Sequence, residues 1–373
     1  MTPQAVLADL VAIGDLPGAS NARMAGYVQA YLARLGVDCA VLPGPEGDRV
    51  NLFATIGPRD VPGYILSGHM DVVPVEGQNW ASDPFRLRAE GGRLYGRGAS
   101  DMKGYLACML AMVPAFQAAA LRRPIHLAFS YDEEIGCRGV GHMIARLRDL
   151  CAPPLGCIVG EPSDLQPVLS HKGKQAVELR IKGRAAHSSQ PDLGVNAIYP
   201  AAEILLFIRN LAAKLAVDGP FDPRFQPACS TLVAGVVQGG AAVNIIPDQC
   251  TIRMEVRSVP GQSPQTITAQ VIARLAALPD VEVSHRELSS YPALPPPETR
   301  DLVDLLERLT GHRALQSVSY GTEAGLFHAA GIPSIICGPG SILRAHRPDE
   351  FITEAELESC CAMLHGLARE AAS

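Results

Sequence analysis

The feature that most constrains the fold is an alternation, in the first half of the chain, of short apolar segments with helical stretches. The helical stretches cover residues 103–119 and 139–150. Each apolar segment is followed at once by polar or glycine-rich residues; the segments are VNLFATIG, YILSGHMDVV, IHLAFSYDEE and GCIVGEPS, beginning at Val50, Tyr64, Ile125 and Gly156. This alternation predicts an α/β fold with a mostly parallel central sheet and helices on both faces.

The pattern changes near residue 175, where QAVELRIKG alternates apolar and polar residues. Helices are predicted at about 195–214 and near 263–277, and the predicted elements follow the order βαββαβ. This order favours an α+β domain in which two helices cover a four-stranded antiparallel sheet. At 373 residues the chain exceeds the size of a single core. We therefore expect one domain formed by 1–174 and 288–373, and a second one, 175–287, inserted into it.

Composition narrows the class of partner. Hydrophobic residues make up 47% and charged residues 19%, a balance typical of globular proteins. The net charge is -6 and no basic stripe stands out, which argues against nucleic acid. No apolar run reaches spanning length, which argues against a membrane. The ten cysteines form no C-x-x-C pair and are interpreted as reduced, buried side chains without a metal role.

The N-terminus is predicted to form an amphipathic helix. Thr2 is placed to cap it and Pro3 to occupy its first turn. The predicted apolar face consists of Val6, Leu7, Leu10 and Val11. Because this segment lacks the basic region of a signal peptide, we expect a cytoplasmic protein.

Polar and acidic residues recur where the predicted strands of the first domain end, the place where open α/β sheets bind ligands. They are His69, Asp71, Asp101, Asp132, Glu133, Glu134, Glu161 and His346. Taken singly, such an acid is commonly a helix cap or a solvated loop residue, and such a histidine a surface residue. Their recurrence in one framework of strand ends favours a shared site.

A paired-metal site is the chemistry that needs this set. Zinc accepts imidazole nitrogen and carboxylate oxygen, and two neighbouring cations need a shared carboxylate because they repel each other. Such a site activates water, whose pKa metal binding lowers to about 7. The predicted ligands are His69, Asp101, Glu134, Glu161 and His346. Two divalent ions are therefore expected; Zn²⁺ is our first choice, and the set also suits Co²⁺.

Two acids remain for other roles. Asp71 projects to the same side as His69 on an extended segment, and it is predicted to accept the second N–H of that ring. Glu133 is predicted to take a proton from water and pass it to a leaving amine. The alternative for Asp132, Glu133 and Glu134 is a solvated acidic turn, which the preceding apolar LAFSY disfavours.

The segments SGHMDVVPV, DPF, LYGRGASDMKG, DEEIG and GEPS resemble the M20 family of metallopeptidases and deacylases, and the similarity covers nearly the whole chain. The resemblance implies a catalytic domain with two zinc or cobalt ions, and an inserted lid domain through which the protein forms a homodimer. It assigns His69 and Glu161 to one metal, Glu134 and His346 to the other, and Asp101 to both. It also makes Glu133 the general base and Asp71 the orienting acid.

The inserted domain carries further parts of the resemblance. KGRAAHSSQPDLGVNAI is similar to the family's lid motif, which makes His187 a donor to the reacting carbonyl oxygen. VNIIPDQCTIRMEVRS places Asn244 and Arg257 at positions that contact the α-carboxylate of a substrate. From the residues alone, Arg257 would be interpreted as a strand residue facing solvent.

The C-terminal block SYGTEAGLFHAAGIPSIICGPGSILRAHRPDEFI resembles one branch of the family. That branch removes the acetyl group from N2-acetyl-L-ornithine, giving L-ornithine and acetate in arginine biosynthesis. Glu323 is a candidate partner for the cationic side chain of such a small N-acyl amino acid, and the alternative is a structural role in its own loop. The alternatives are another N-acyl amino acid deacylase, a succinyl-diaminopimelate desuccinylase, a dipeptidase of the family, or a binding protein without catalysis.

Overall fold

The computed structural model describes residues 1–373. The strands are β1 (Cys39–Pro43), β2 (Val50–Ile56), β3 (Tyr64–His69), β4 (Arg88–Glu90), β5 (Arg93–Tyr95), β6 (Ile125–Ser130), β7 (Gly156–Pro162), β8 (Gly173–Lys182), β9 (Thr231–Gly239), β10 (Gln249–Ser258), β11 (Glu282–Tyr291), β12 (Ser334–Gly338) and β13 (Phe351–Thr353). The helices are α1 (Pro3–Val11), α2 (Ala22–Arg34), α3 (Gly104–Ala111), α4 (Val113–Ala118), α5 (Val140–Ile144), α6 (Leu147–Leu150), α7 (Ile198–Asp218), α8 (Pro264–Ala276), α9 (Asp301–Thr310), α10 (Ala324–Ala329) and α11 (Glu354–Ala372). An irregular turn, Ala99–Lys103, leads into α3, and its backbone is not helical at Asp101 and Met102. No helix combines the length and the apolar character needed to cross a membrane.

The chain divides into two compact units. Unit 1 comprises Met1–Ser170, Pro296–Gln316 and Thr322–Ser373, and unit 2 comprises His171–Pro295 and Ser317–Gly321. Unit 2 therefore interrupts unit 1 along the chain.

Unit 1 is built on a six-stranded sheet in the order β1-β2-β6-β3-β7-β12. The last four strands of that order run parallel to one another, whereas β1 and β2 are antiparallel to their neighbours. The predicted α/β fold with a mostly parallel central sheet is thereby confirmed. A small antiparallel sheet, β13-β5-β4, lies apart from it in the same unit.

The central sheet is covered by helices on both faces. Strands β3 and β6 are buried at every position, as expected for strands with no face toward solvent. Helices α3 and α4 contact the sheet as part of the main core, which also includes α1 and α11, while α5 and α10 pack against β2, β7 and β12. The predicted N-terminal helix is confirmed: the Thr2 side chain accepts a hydrogen bond from the Ala5 amide at 3.2 Å, and the predicted apolar face is buried.

Unit 2 has the predicted βαββαβ order, with an antiparallel sheet β11-β8-β10-β9. Along β8, Val177, Leu179 and Ile181 belong to a second core with residues of α7 and α8. The intervening Glu178 and Arg180 form an ion pair on the opposite face. The strand thus directs its apolar side chains to one face, as its sequence indicates, while Glu178 on the other face is buried by its pairs with Arg180 and Arg253.

Candidate metal centre

Three neighbouring parallel strands place the candidate ligands of unit 1. His69 is the last residue of β3, Glu161 lies near the end of β7, and the acidic run Asp132–Glu134 begins two residues after the end of β6. Because β6, β3 and β7 are adjacent and parallel, their carboxyl ends meet at one edge of the sheet. Gly68 allows close packing beneath this edge, since a Cβ there would lie 2.7 Å from the Leu106 side chain.

The Asp101 carboxylate lies between the two histidines. Its Oδ1 is 3.1 Å from His69 Nε2, and its Oδ2 is 3.2 Å from His346 Nε2. The Asp101 and His69 side chains are almost fully buried, whereas the His346 side chain is 51% exposed. A single carboxylate therefore presents one oxygen to each of two separate imidazoles.

Two further carboxylates complete the arrangement, one beside each histidine. Glu161 Oε1 lies 3.8 Å from His69 Nε2, and Glu134 Oε2 lies 3.1 Å from His346 Nε2. His69, Asp101 and Glu134 can present ligand atoms within 4.8 Å of one another, and so can His69, Glu133 and Glu161. The structure thus brings together all five predicted ligands, and it places Glu133 among them.

Asp71 makes different contacts from those expected. The Nδ1 atom of His69 donates to the backbone carbonyl of Asp71 at 2.9 Å, and the carboxylate Oδ1 lies 3.7 Å away. The Asp71 carboxylate instead accepts hydrogen bonds from the amides of Glu133 and Glu134, both at 3.2 Å. Asp71 therefore orients His69 through its backbone and the acidic turn through its side chain.

Asp132 is turned away from this cluster. Its carboxylate pairs with Arg49 and accepts a hydrogen bond from the Gly18 amide at 2.7 Å. Its φ of 54° is in the left-handed region. These contacts anchor the start of the acidic turn, so Asp132 acts in the fold rather than in the cluster.

Glu133 is buried beside the ligands and has a thiol neighbour that the sequence interpretation did not use. The Cys137 thiol donates to Glu133 Oε1 at 3.1 Å. Burial raises the pKa of Glu133 to about 8, and the nearby Glu134 carboxylate adds to the rise. The only sequence signal for Cys137 was its position four residues after Glu133, close to the acidic run.

The electrostatics of the cluster fit a bound cation. Burial raises the pKa of Asp71 to about 6 and that of Glu161 well above its ordinary value, because several carboxylates crowd a dry site. For Asp101, burial favours the neutral acid, but hydrogen bonds from His346 and His69 outweigh it and lower the pKa. Hydrogen bonds to Asp101 and Glu134 raise the pKa of His346 to about 10. The carboxylates thus stabilise a positive charge on the neighbouring imidazoles. Bound divalent cations would supply that positive charge, and the histidine and carboxylate donors suit such ions.

Glu323 lies in the same unit and is only 1% exposed. Burial raises its pKa to about 7, and the facing hydroxyls of Ser130 and Ser67 partly offset that rise. Neither of its oxygens makes a hydrogen bond of standard geometry. Glu323 is thus a buried acceptor with unused capacity, and its role toward a substrate stays a prediction.

The remaining predicted residues belong to unit 2. His187 is exposed, with Nδ1 2.7 Å from Ser189 Oγ, and the adjacent Ser188 amide donates to the Asn244 carbonyl at 3.0 Å. Arg257, on β10, donates to Glu255 at 2.6 Å and to the Tyr291 hydroxyl at 3.3 Å. The structure therefore places His187 and Asn244 in neighbouring loops and Arg257 on the sheet.

Comparison with known proteins gives the chain a family context. The profile of peptidase family M20/M25/M40 matches residues 65–370. An acetylornithine deacetylase of Proteus mirabilis (strain HI4320) is 34% identical over 347 residues, which cover 91% of this chain and 87% of that protein. An acetylornithine deacetylase of Edwardsiella ictaluri (strain 93-146) is 33% identical over 351 residues, with 90% and 87% covered.

Solved structures share the fold at lower identity. An M20 family metallo-carboxypeptidase from Sulfolobus solfataricus superposes with a TM-score of 0.81 at 18% identity, covering 99% of each chain. A dinuclear metal-binding M20 peptidase of Bacillus subtilis gives a TM-score of 0.63 at 16% identity, covering 99% of this chain and 98% of its own.

Proposed function

Because the chain belongs to peptidase family M20/M25/M40 and is a metallo-hydrolase of amide bonds, we propose that it removes the acetyl group from N2-acetyl-L-ornithine. The products would be L-ornithine and acetate, which would place the enzyme in arginine biosynthesis. Relatives that are about one-third identical and bear the name acetylornithine deacetylase support this substrate.

The observation that carries the proposal is the Asp101 carboxylate, which lies 3.1 Å from one imidazole and 3.2 Å from another. We assign His69 and Glu161 to one metal, Glu134 and His346 to the second, and Asp101 to both. Zn²⁺ is the proposed ion and Co²⁺ the nearest alternative. When bound, such ions lower the pKa of water and polarise the carbonyl of an amide.

Glu133 is the proposed general base. It would accept a proton from the attacking water and return it to the nitrogen of the departing amine. Its Oε1 is occupied by the Cys137 thiol at 3.1 Å, which leaves Oε2 for the water. Asp71 supports this role by holding the Glu133 amide at 3.2 Å, which orients the turn that carries the base.

Residues of unit 2 are proposed to bind the substrate. The part of the Arg257 guanidinium not engaged by Glu255 and Tyr291 would pair with the α-carboxylate, assisted by Asn244. His187 would donate to the acyl oxygen as negative charge develops there. Glu323 would accept from the cationic side chain of the substrate.

The test is hydrolysis by the purified protein with added Zn²⁺ or Co²⁺. The substrates are N2-acetyl-L-ornithine, succinyl-diaminopimelate and a dipeptide, and the variants are Glu133→Gln and the exposed control Glu358→Gln. We expect ornithine release that needs metal, falls at least about 10²-fold in Glu133→Gln and is unchanged in the control. A clear preference for either other substrate would contradict the substrate assignment, and full activity of Glu133→Gln would contradict the mechanism.

We further propose a cytoplasmic homodimer, with unit 2 forming the interface. Its strand β9 is an edge strand, and Val233 and Val236 on it are 58% and 40% exposed. Tyr199 and Leu206 on α7 are 73% and 51% exposed. An apolar, unpaired edge of this kind favours association. Light scattering should show a dimer that Val236→Glu dissociates, while Val41→Glu, on β1 of unit 1, leaves it intact; a monomeric unaltered protein would contradict the proposal.

A further inference from the structure

A polar network, buried at Arg97 and Glu350 and partly exposed at Gln78, joins the turn that carries Asp101 to the loop that carries His346. It consists of Gln78, Arg97 and Glu350, all of unit 1, and we call it the Gln78–Arg97–Glu350 network. None of the three belongs to the ligand set assigned above. They are brought together by the fold, since Glu350 lies far along the chain from the other two.

At one end, Glu350 holds the backbone that presents Asp101. Glu350 Oε1 accepts hydrogen bonds from the amides of Ser100 and Asp101, at 2.9 and 3.0 Å. Its other oxygen, Oε2, accepts from Arg97 Nη1 at 2.7 Å. The carboxylate therefore couples the position of the Asp101 backbone to that of the Arg97 guanidinium.

At the other end, Gln78 holds the backbone that presents His346. Gln78 Nε2 donates to the His346 carbonyl at 3.0 Å, and Gln78 Oε1 accepts from Arg97 Nη2 and from Trp80 Nε1. His346 has a φ of 63°, a left-handed conformation that is unfavourable for a residue other than glycine and persists only where surrounding contacts fix it. The Gln78 amide is one of these contacts.

The burial of the charged pair argues for a purpose beyond stability. Both side chains of the Arg97–Glu350 pair are 1% exposed. A buried ion pair gains little over well-packed apolar side chains, because both charges lose their hydration. The ion pair here fixes the relative positions of two side chains. The donors of a guanidinium form a rigid fork, and Arg97 donates to Glu350 and to Gln78 at the same time.

We propose that the Gln78–Arg97–Glu350 network is a positioning device that sets the separation of Asp101 and His346, and with it the affinity of the metal position that these two residues share. The inference rests on the proposed paired-metal function. Metal sites tolerate displacements of only about 0.5 Å. Side chains that orient ligands in this way typically change metal affinity by about 10- to 100-fold when they are removed.

The test compares Gln78→Ala with Gln117→Ala in the full-length protein. Gln117 is an exposed residue of α4 whose Nε2 also donates to a backbone carbonyl, that of Leu35, at 2.9 Å. Co²⁺ is titrated into metal-free protein, and binding is followed by calorimetry and by the absorption of the bound ion. Glu350→Gln is the second variant, since it keeps the shape of the side chain and removes its charge.

We expect two equivalents of Co²⁺ in the unaltered protein and in Gln117→Ala. In Gln78→Ala, which releases the His346 backbone, one equivalent should bind about 10- to 100-fold more weakly while the other is unchanged. In Glu350→Gln, which releases the backbone of the shared Asp101, both equivalents should bind more weakly. In the metal-free protein, amide hydrogen exchange in residues 341–350 should be faster in Gln78→Ala than in Gln117→Ala. Unchanged Co²⁺ affinities in both variants, or equal weakening of both equivalents in Gln78→Ala, would overturn the positioning role.

These measurements separate the inference from the function on which it rests. If the unaltered protein bound only one equivalent, the paired site itself would be refuted, and the exchange measurement would then decide whether the network holds the His346 loop. If it bound two and Gln78→Ala matched it in both measurements, only the positioning inference would fail.

Discussion

His126, on the central sheet, offers a quantitative test of the packing in unit 1, because its side chain is fully buried. It lies on β6, stacks on Phe53 with ring centroids 5.3 Å apart, and has Nδ1 3.0 Å from Thr55 Oγ1. Its Nε2 has no hydrogen-bond partner. Burial, together with the charge of Arg59, lowers the pKa of His126 from 6.5 to about 4. The native ring is therefore neutral throughout the range in which an unfolded histidine becomes charged.

The sign of the effect follows from which state binds the proton first. Below pH 6.5 the unfolded chain takes up a proton that the native ring refuses until about pH 4. The contribution of His126 to stability is therefore complete above pH 6.5 and is lost as the pH falls toward 4. With these two pKa values, lowering the pH from 7.5 to 5.5 should reduce the free energy of unfolding by about 1.4 kcal/mol through this one residue.

The assay is urea unfolding at the two pH values, followed by the fluorescence of Trp80. The chain contains a single tryptophan, and it lies in unit 1 with His126, so the signal reports on the unit being tested. The variant His126→Gln should show a pH dependence smaller than that of the unaltered protein by about 1.4 kcal/mol. The exposed control His365→Gln should keep the full dependence. Equal pH dependence in His126→Gln and the unaltered protein would refute the burial argument.

Three further perturbations test the packing and the cation fit. Arg49→Met leaves the buried Asp132 carboxylate without its charged partner and should lower the free energy of unfolding by about 3 kcal/mol. A urea titration that shows the same free energy of unfolding as the unaltered protein would contradict the anchoring role of Asp132. Gly160→Ala would place a Cβ 1.9 Å from the Tyr105 ring and should lower the free energy of unfolding by about 3 kcal/mol. Gly141→Ala, which has open space around it in α5, is the control and should raise the free energy of unfolding by about 0.5 kcal/mol. An unchanged free energy of unfolding in Gly160→Ala would disprove the packing of Gly160 against Tyr105. Co²⁺ at about 100 times its dissociation constant should raise the free energy of unfolding by about 2.7 kcal/mol per site. Equal urea midpoints with Co²⁺ and with a chelator would contradict the proposed cation site.

The fold could be predicted where local pattern and tertiary environment agree. Apolar runs such as those at Tyr64 and Ile125 indicated strands buried on both faces, and β3 and β6 are buried throughout. The period-two alternation near residue 175 indicated a strand with one open face, which β8 has. The antiparallel attachment of β1 and β2 was not predictable, because a strand's direction depends on its partner and leaves no mark on its own periodicity.

The candidate ligands could be predicted for a similar reason. In parallel strands, residues that follow the apolar run all emerge at the same edge, so His69, Glu134 and Glu161 could be grouped before their distances were known. The pairing of Asp132 with Arg49 could not, because it joins residues 83 positions apart through a largely buried contact without a sequence signature. An acidic run therefore indicates where a site lies, but does not show which of its members face it.

Asp71 shows why residue type predicts chemistry better than it predicts contacts. A carboxylate two residues after a histidine is well placed to orient the ring, yet the backbone carbonyl performs that task at 2.9 Å. The carboxylate is thereby free to hold the amides of Glu133 and Glu134. Only the local conformation decides between these uses. The same reasoning applies to Gln78 and Glu350, whose importance depends entirely on which backbone groups the fold brings to them.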